Sequence, residues 1–183
     1  PVNYEYGGPE YESAAALGSL LLIDDLAAIS KGNQLCNAYG LDTISTGSTI
    51  AWAMECYERG ILTKADTDGI KLEWGNADAV MKMIEKIANR EGFGNTLAEG
   101  VMRASQKVGK GSERYAVHVK GQEVPMHDPR GKKGVGLSYA TSLRGACHLQ
   151  ATHDPSFESS NVAPEIGITK AVDRHDTSRE KVE

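Results

Sequence analysis

The stretch Cys36-Asn37-Ala38-Tyr39-Gly40-Leu41-Asp42-Thr43-Ile44-Ser45-Thr46-Gly47 joins two segments of periodic apolar residues and decides the fold of the chain. Gly40 can take the left-handed conformation that ends a helix, and Asp42 can accept hydrogen bonds from the free amides of a following first turn. The pattern predicts a helix–turn–helix corner, which we define as residues 37–43. Such a corner can attract an anion through the free amides and the helix dipole, although an ordinary capped corner uses the same residues.

Apolar residues recur at three- and four-residue steps on both sides of this corner and again farther along the chain. This period predicts helices that start at a polar capping residue and end at a glycine. The predicted segments, from cap to closing glycine, are 25–40, 42–60, 76–92 and 95–109. Pro9 favours a further helix start near the beginning of the chain. We expect the two helices that meet at the corner to pack together.

Two short segments alternate apolar and polar residues, as strands do. Their apolar positions are Ile70, Leu72 and Trp74 in the first segment and Tyr115, Val117 and Val119 in the second. The second segment leaves His118 facing solvent. Together with the helical segments, this pattern predicts a mainly α fold, a multi-helical domain with one or two short β segments.

The last third of the chain contains the remaining chemically suggestive residues. Residues 126–137 form a loop rich in glycine, proline and positive charge, which can bind anions or serve as a solvated connector. Arg144 and His148 follow, four residues apart, and would share one face if that segment were helical. An arginine and a histidine together suit a site that holds an oxyanion and moves a proton, although a lone histidine is more often structural.

Composition excludes several classes of protein. The 183 residues carry a net charge of -5, which argues against a surface for nucleic acid or anionic membrane. No segment reaches the length of a transmembrane helix, and none has the order of a signal peptide. We therefore expect a cytoplasmic protein with no nucleic-acid or membrane partner. Because the sequence begins at Pro1 without methionine and ends in a charged run, we also expect it to be part of a longer chain.

The cysteines and acidic residues do not form a recognisable metal motif. Cys36, Cys56 and Cys147 are far apart and include no C-x-x-C pair, so no disulfide framework, zinc site or iron–sulfur site is predicted from them. Cys36 and Cys56 stand at apolar helical positions and are expected to be buried thiols. Asp66 and Asp68 lack the ligand spacing of an EF-hand and are read as a surface turn.

Four blocks of the sequence together resemble the aldehyde ferredoxin oxidoreductase family. The blocks are Gly8-Pro9-Glu10-Tyr11-Glu12, Tyr39-Gly40-Leu41-Asp42-Thr43-Ile44-Ser45-Thr46-Gly47, His127-Asp128-Pro129-Arg130-Gly131 and Tyr139-Ala140-Thr141-Ser142-Leu143-Arg144-Gly145-Ala146-Cys147-His148. They agree in order and spacing up to about Ala151. The resemblance implies the first helical domain of a larger enzyme, with residues 1–172 as the cofactor-facing domain and 173–183 as a charged tail without fixed structure.

Members of this family bind a tungsten, or sometimes molybdenum, bis-pterin beside a 4Fe–4S cluster, oxidise aldehydes to carboxylic acids and reduce ferredoxin. The resemblance implies that Asn37, Gly40, Leu41, Asp42 and Thr43 contact the pterin. Their order matches the family pattern D-x-x-G-L-(C or D)-x, except that Asn37 replaces the first aspartate. An amide can still hydrogen-bond to a pterin but supplies no full negative charge.

The resemblance also assigns three roles outside the corner. Glu12 matches the family's carboxylate near the metal and would take a proton from water or hydrated aldehyde. His148 matches the active-site histidine, which would hold the substrate oxygen or relay a proton, and Arg144 matches a contact to the pterin phosphate. Cys147 stands where we expect aspartate, and a buried filler is the preferred interpretation of it. No residue is assigned as a metal ligand.

The family's cluster cysteines and its second pterin motif are not present in these 183 residues, so the resemblance implies that the cluster ligands lie in the rest of the parent polypeptide. The isolated chain is accordingly predicted to be inactive. Two alternatives remain open: a relative that acts as a carboxylate or aryl-CoA reductase on the same scaffold, and a non-catalytic helical scaffold module.

Overall fold

Seven α-helices, five short 3-10 helices and one two-stranded sheet make up the regular structure of the described residues, which in this computed structural model are 2–158, 164–167 and 169–178. The elements are α1 (Tyr11–Leu17), α2 (Leu26–Tyr39), α3 (Thr43–Glu58), α4 (Ala77–Asn89), α5 (Phe93–Leu97), α6 (Val101–Val108), β1 (His118–Val119), β2 (Gln122–Glu123) and α7 (Lys133–Thr141). The predicted mainly α fold class with short β segments is confirmed. None of the helices in the described part of the chain is long and apolar enough to cross a membrane.

The chain divides into two compact units, one ending at Met126 and the other beginning at His127. This division was not anticipated from the sequence. The predicted extent of the helical domain, 1–172, stays a prediction. Each unit is described by itself below.

Polar caps start the long helices of the first unit, as the sequence predicted. Asp25, Asp42 and Asn76 each accept a hydrogen bond from an amide in the first turn of α2, α3 and α4, at 2.8, 2.6 and 3.1 Å. Glu10 caps α1 in the same way. Gly40 closes α2 with φ +69°, a conformation that a side chain would strain. The local capping signals were therefore sufficient to locate these helix ends.

Helices α1 and α4 provide the main partners of the two helices that meet at the corner. Helix α3 packs against α1, and α2 packs against α4, while α2 and α3 also touch each other. Gly47 allows the approach of α1, because a Cβ there would lie 2.4 Å from the carbonyl oxygen of Ala16. The fully buried side chains at this centre include Leu17, Leu21, Ile50, Met54, Val80, Met83 and Ile84.

Two sequence predictions for the first unit are wrong. The predicted helix 95–109 is two helices, because Gly100 has φ +80° and interrupts the helical path between α5 and α6. Asn95 lies inside α5, and the first amide of α6 is instead bound by the carboxylate of Glu123, with 2.7 Å between Val101 N and Glu123 Oε1. The predicted helix 76–92 ends earlier, at Asn89, where Arg90 is left-handed.

The two predicted β segments have different outcomes. Residues 70–74 form no strand, and the Thr67 hydroxyl instead donates to the Ile70 carbonyl in a turn. Strands β1 and β2 form an antiparallel hairpin that includes His118 and Val119 of the second predicted segment. His118 is half-buried rather than solvent-facing, and its Nδ1 accepts a hydrogen bond from Gly121 N at 3.2 Å. Alternation alone is not sufficient for a strand when no partner strand pairs with it.

In the second unit, α7 begins inside the segment that was predicted to be a loop. The Asp154 side chain, only 1% exposed, binds the amides of Gly134 and Val135 at 2.8 and 3.0 Å and starts the helix at a distance of about twenty residues in sequence. A capping residue so remote leaves no local signal, because sequence patterns place the cap next to the helix. The loop prediction therefore holds only as far as residue 132.

The predicted charged tail is partly described. Arg174 makes a two-pronged ion pair with Glu158, with 2.8 Å between Nε and Oε1, and its carbonyl accepts from Lys133 N at 3.1 Å. These contacts give residue 174 a defined place in the second unit. Residues 179–183 of the predicted tail lie outside the described residues.

Candidate active site

The corner between α2 and α3 is an open, polar turn. Asn37, Gly40 and Asp42 are exposed, while Leu41 and Thr43 are half-buried. The Leu41 amide binds the Cys36 carbonyl at 2.8 Å, which closes α2 in the manner of a Schellman motif. Apart from Gly40 and its two chain neighbours, no described residue places an atom within 4 Å of the position that a Cβ of Gly40 would occupy. More distant parts of the chain therefore leave the backbone open here.

The Asn37 amide has a defined orientation. Its Nδ2 lies 2.8 Å from the Asn33 carbonyl oxygen and 3.2 Å from Asn33 Oδ1. A carbonyl only accepts, so the atom beside it is the NH2 group, and the exposed end of Asn37 is the oxygen Oδ1. Asn37 consequently offers solvent a hydrogen-bond acceptor, as the aspartate of the family pattern would, but without the charge.

A hydroxyl pair joins the corner to the start of α1. Ser13 Oγ and Thr43 Oγ1 lie 2.9 Å apart. Ser13 directly follows Glu12, so the predicted pterin contacts and the predicted catalytic carboxylate meet within the first unit. Ser13 was not identified from the sequence, because its significance depends on the packing of α1 against α3.

Glu12 is a buried carboxylate in the first turn of α1, 6% exposed. Its Oε2 accepts a hydrogen bond from Met126 N at 2.7 Å. The preceding residue, Tyr11, donates its hydroxyl to Met126 O at 2.6 Å. Two adjacent side chains thus bind both polar backbone groups of Met126, which orients the Glu12 carboxylate.

The cysteines of the first unit are ordinary core thiols. Burial raises the pKa of Cys36 to about 11, an effect that the Thr46 side chain partly offsets and the Asp42 charge increases. Burial likewise raises the pKa of Cys56 to about 11. Both thiols are therefore protonated at neutral pH. This confirms the prediction of buried thiols, and Cys147 is buried as well.

Arg144 and His148 lie beyond the end of α7, so the condition under which they would share a helical face is not met. Helix α7 ends at Thr141, Ser142 is extended, and Gly145 has φ +97°, so both residues lie in turns. Arg144 is exposed, as a contact to a phosphate requires, and its amide donates to Ser142 Oγ at 3.2 Å. His148 is half-buried.

Three of the five histidines of the chain converge in the second unit. The ring centroids of His127 and His153 lie 4.4 Å apart, those of His127 and His148 5.3 Å, and those of His148 and His153 6.1 Å. Lys132 Nζ lies 2.9 Å from His127 Nδ1 and 3.2 Å from His153 Nδ1. The sequence alone did not identify this cluster, because its members come from three separate turns.

The basic loop of the second unit is partly neutralised from within. Arg130 binds Asp128 through Nε and Nη2, and this pair lowers the pKa of Asp128 to about 2. The guanidinium of Arg130 is therefore already engaged by a carboxylate. Binding of an anion by this loop stays a prediction.

The residues of the corner fit a pterin by their chemistry. A pterin presents several N–H donors along its edge, and Asn37 Oδ1 and the Asp42 carboxylate are exposed acceptors on one turn. Asp42 Oδ1 already binds Ser45 N, so its carboxylate would serve the helix and the ligand together. The absence of a Cβ at Gly40 leaves room for the ring.

The sequence is similar to that of a known protein family and of characterised proteins. The profile of the family described as aldehyde ferredoxin oxidoreductase, domains 2 and 3, matches residues 1–183. The tungsten-containing aldehyde ferredoxin oxidoreductase of Pyrococcus furiosus is 45% identical over 184 residues, covering 100% of this chain and 29% of that protein. The chain thus spans less than a third of the length of this curated relative.

Two further similar proteins are described as different kinds of reductase or oxidoreductase. The aliphatic sulfonate oxidoreductase, WOR-like subunit, of the same organism is 40% identical over 154 residues, covering 81% of this chain and 24% of that protein. The solved active-site complex BamBC of benzoyl coenzyme A reductase, with 1,5-dienoyl-CoA, matches with a TM-score of 0.61 and 30% identity, covering 75% of this chain and 22% of that chain. The same scaffold therefore occurs in proteins with different substrates.

Proposed function

The chain belongs to the aldehyde ferredoxin oxidoreductase family, and on that premise we propose that it forms the cofactor-facing helical part of a tungsten-pterin enzyme that oxidises aldehydes to carboxylic acids, with ferredoxin as electron acceptor. The observation that carries the proposal is the bond between Ser13 and Thr43, which brings the corner beside Glu12. A cytoplasmic location and a small aldehyde substrate belong to the same proposal.

The corner would hold one side of the cofactor. A tungsten, or molybdenum, bis-pterin supplies two-electron redox chemistry when bound, and a 4Fe–4S cluster held by the rest of the parent polypeptide would carry the electrons onward. Asn37 Oδ1 and Asp42 would accept hydrogen bonds from a pterin, and Gly40 and Leu41 would contact it through their backbone. Thr43 stays bonded to Ser13 and keeps the corner against α1.

Glu12 would act as the general base. Its Oε2 accepts a hydrogen bond from Met126 N, which orients the carboxylate that would accept a proton from water or hydrated aldehyde. Burial of the side chain supports this role, because a carboxylate shielded from bulk water exchanges protons with a bound substrate rather than with solvent. The backbone amide of Met126 is uncharged, so its hydrogen bond orients the Glu12 carboxylate without forming an ion pair.

His148 and Arg144 would complete the assignment from the second unit. His148 would hold the substrate oxygen or relay a proton through its half-buried imidazole. Arg144 would bind the phosphate of the pterin, a role that its exposed guanidinium fits. Each assignment rests on the family resemblance and on the exposure of that one residue.

A carboxylate or aryl-CoA reductase is the second candidate, and the match to benzoyl coenzyme A reductase favours it. The residues that select between an aldehyde and an acyl thioester need not belong to this chain. A non-catalytic helical scaffold module is the third candidate. A run of cysteines spaced C-x-x-C-x-x-x-C upstream in the parent gene would argue against a scaffold, because it could ligate a cluster.

The test is to produce the full coding sequence that contains this chain and to measure its metal content and dye reduction. We expect tungsten or molybdenum in the protein and reduction of a viologen dye that depends on aldehyde. Reduction of acyl-CoA by a low-potential donor, without aldehyde oxidation, would favour the second candidate. Absence of metal and of both activities would favour the scaffold. The isolated 183-residue chain should be inactive, and turnover by it alone would contradict the proposed division of the enzyme.

A further inference from the structure

A single ammonium group lies between two imidazole rings in the second unit. Lys132 Nζ is 2.9 Å from His127 Nδ1 and 3.2 Å from His153 Nδ1. The lysine side chain is half-buried, whereas that of its neighbour Lys133 is exposed. Holding a lysine at two acceptors restricts a flexible side chain, which is unusual for a residue whose only role is solubility.

The chemistry of these contacts fixes the protons. A lysine ammonium donates and does not accept, so both Nδ1 atoms must carry lone pairs. Each ring is then neutral and bears its proton on Nε2. His153 provides an independent check, because its Nε2 lies 2.8 Å from the His148 carbonyl oxygen, which can only accept. The two contacts of His153 therefore require the same tautomer.

The rings of His127 and His153 both contact His148. His153 binds the His148 carbonyl and fixes the backbone from which that imidazole projects. The His127 ring packs at a 37° tilt against the His148 ring, and the His127 carbonyl is held by the Tyr139 hydroxyl at 3.1 Å. One ammonium thus supports the backbone and the ring of His148 through two different neighbours.

We propose that Lys132 is a positioning residue that fixes His127 and His153 as neutral Nε2–H tautomers and so sets the orientation of His148. The importance of that orientation rests on the proposed function of His148, while the tautomers follow from the contacts of the second unit alone.

Neutron diffraction from crystals of the full-length protein near neutral pH tests the tautomers directly. We expect exchanged hydrogen on Nε2 of His127 and His153 and none on Nδ1. Hydrogen on Nδ1 of either ring would overturn the proposal. This measurement needs neither an active enzyme nor a variant, so its result does not depend on whether the full-length protein oxidises aldehydes.

Variants of the full-length protein test the consequence for His148. Lys132→Met should lower kcat for the best substrate by about 10- to 100-fold with little change in KM, as loss of an outer support of an active-site group does. Lys132→Arg, which still only donates, should recover most of that loss. Lys133→Met is the matched control and should keep the original kcat.

The two failures can be told apart. Full kcat in Lys132→Met would overturn the positioning role even if the tautomers are as expected. If the full-length protein oxidises no aldehyde, the proposed function fails, while the neutron result still decides whether Lys132 fixes the two rings. If Lys132→Met does not fold, the kinetics of Lys132→Arg and the wild-type neutron structure decide the question, since a normal kcat in Lys132→Arg together with protonated Nδ1 atoms would contradict the proposal.

Discussion

Glu12 accepts a hydrogen bond from the backbone amide of Met126 at 2.7 Å, across 114 positions of sequence. This bond orients a buried carboxylate that the sequence had singled out only by its place in a motif. The Tyr11 hydroxyl donates to the Met126 carbonyl, so two hydrogen bonds attach the first turn of α1 to Met126. The candidate site is therefore set by contacts between distant segments as much as by the motif.

The Asn37 amide is predicted to stabilise the end of α2. Asn37→Asp replaces the donor Nδ2 by an oxygen facing the Asn33 carbonyl, which can only accept. We expect a loss of about 1 kcal/mol in the free energy of unfolding, measured by urea denaturation. Asn37→Gln keeps a donor and serves as the control. An unchanged stability in Asn37→Asp would contradict the assigned orientation of the amide.

Gly47 is predicted to be required for the contact of α1 with α3. Gly47→Ala would place a Cβ 2.4 Å from Ala16 O, and backbone atoms cannot move aside cheaply. Thermal unfolding should show a loss of about 1–3 kcal/mol, although alanine is intrinsically the better helix former by about 1 kcal/mol. Ser48→Ala, one residue later in the same helix, should change stability by less than about 0.5 kcal/mol. A stabilised Gly47→Ala would show that α1 and α3 are not in close contact.

Glu123 is predicted to hold the start of α6. Its side chain is 5% exposed and accepts from Val101 N at 2.7 Å, so Glu123→Leu leaves a buried amide without its acceptor. We expect a loss of about 1–3 kcal/mol by denaturant unfolding. Glu123→Gln retains an acceptor oxygen and should lose less. Equal stabilities of the two variants would rule out a capping role.

The ion pair of Glu158 with Arg174 should make the free energy of unfolding depend on pH in the acidic range. Hydrogen bonds from the Arg174 side chain and amide lower the pKa of Glu158 from 4.5 to about 2. A lowered folded pKa means that the contribution is complete above the unfolded value of 4.5 and is lost as pH falls toward 2. Unfolding measured over this window should become less dependent on pH in Glu158→Gln, while the exposed Glu165→Gln should leave the slope of the wild type. An unchanged slope in Glu158→Gln would contradict the shift.

Helix ends set by neighbouring residues could be predicted from the sequence. Helix starts set by residues distant in sequence could not be predicted. Asp42 and Gly40 act on their immediate neighbours, so the corner could be predicted from sequence. The break at Gly100 and its cap by Glu123 could not, because the carboxylate comes from a strand 23 residues farther along in numbering. The same holds for α7, whose cap Asp154 stands after the helix it starts.

In the candidate site, too, motif residues could be recognised in the sequence, whereas residues placed by distant contacts could not. The motif residues Glu12, Asn37 and His148 were identified in the sequence by resemblance, and their roles stay predictions. The supports around them were not identified: Ser13 depends on helix packing, and Lys132 depends on the convergence of three turns. Residues that orient a site need no motif of their own, because any donor at the right point in space serves.

Glu12→Gln in the full-length protein tests the central claim most directly. Glutamine can still accept from Met126 N but cannot take up a proton at neutral pH, so the fold and the tungsten content should be unchanged. We expect aldehyde-dependent dye reduction, at equal metal content, to fall by at least about 100-fold, while the exposed Glu5→Gln keeps wild-type activity. Full aldehyde oxidation by the metal-loaded Glu12→Gln protein would contradict the assignment of Glu12 as the base.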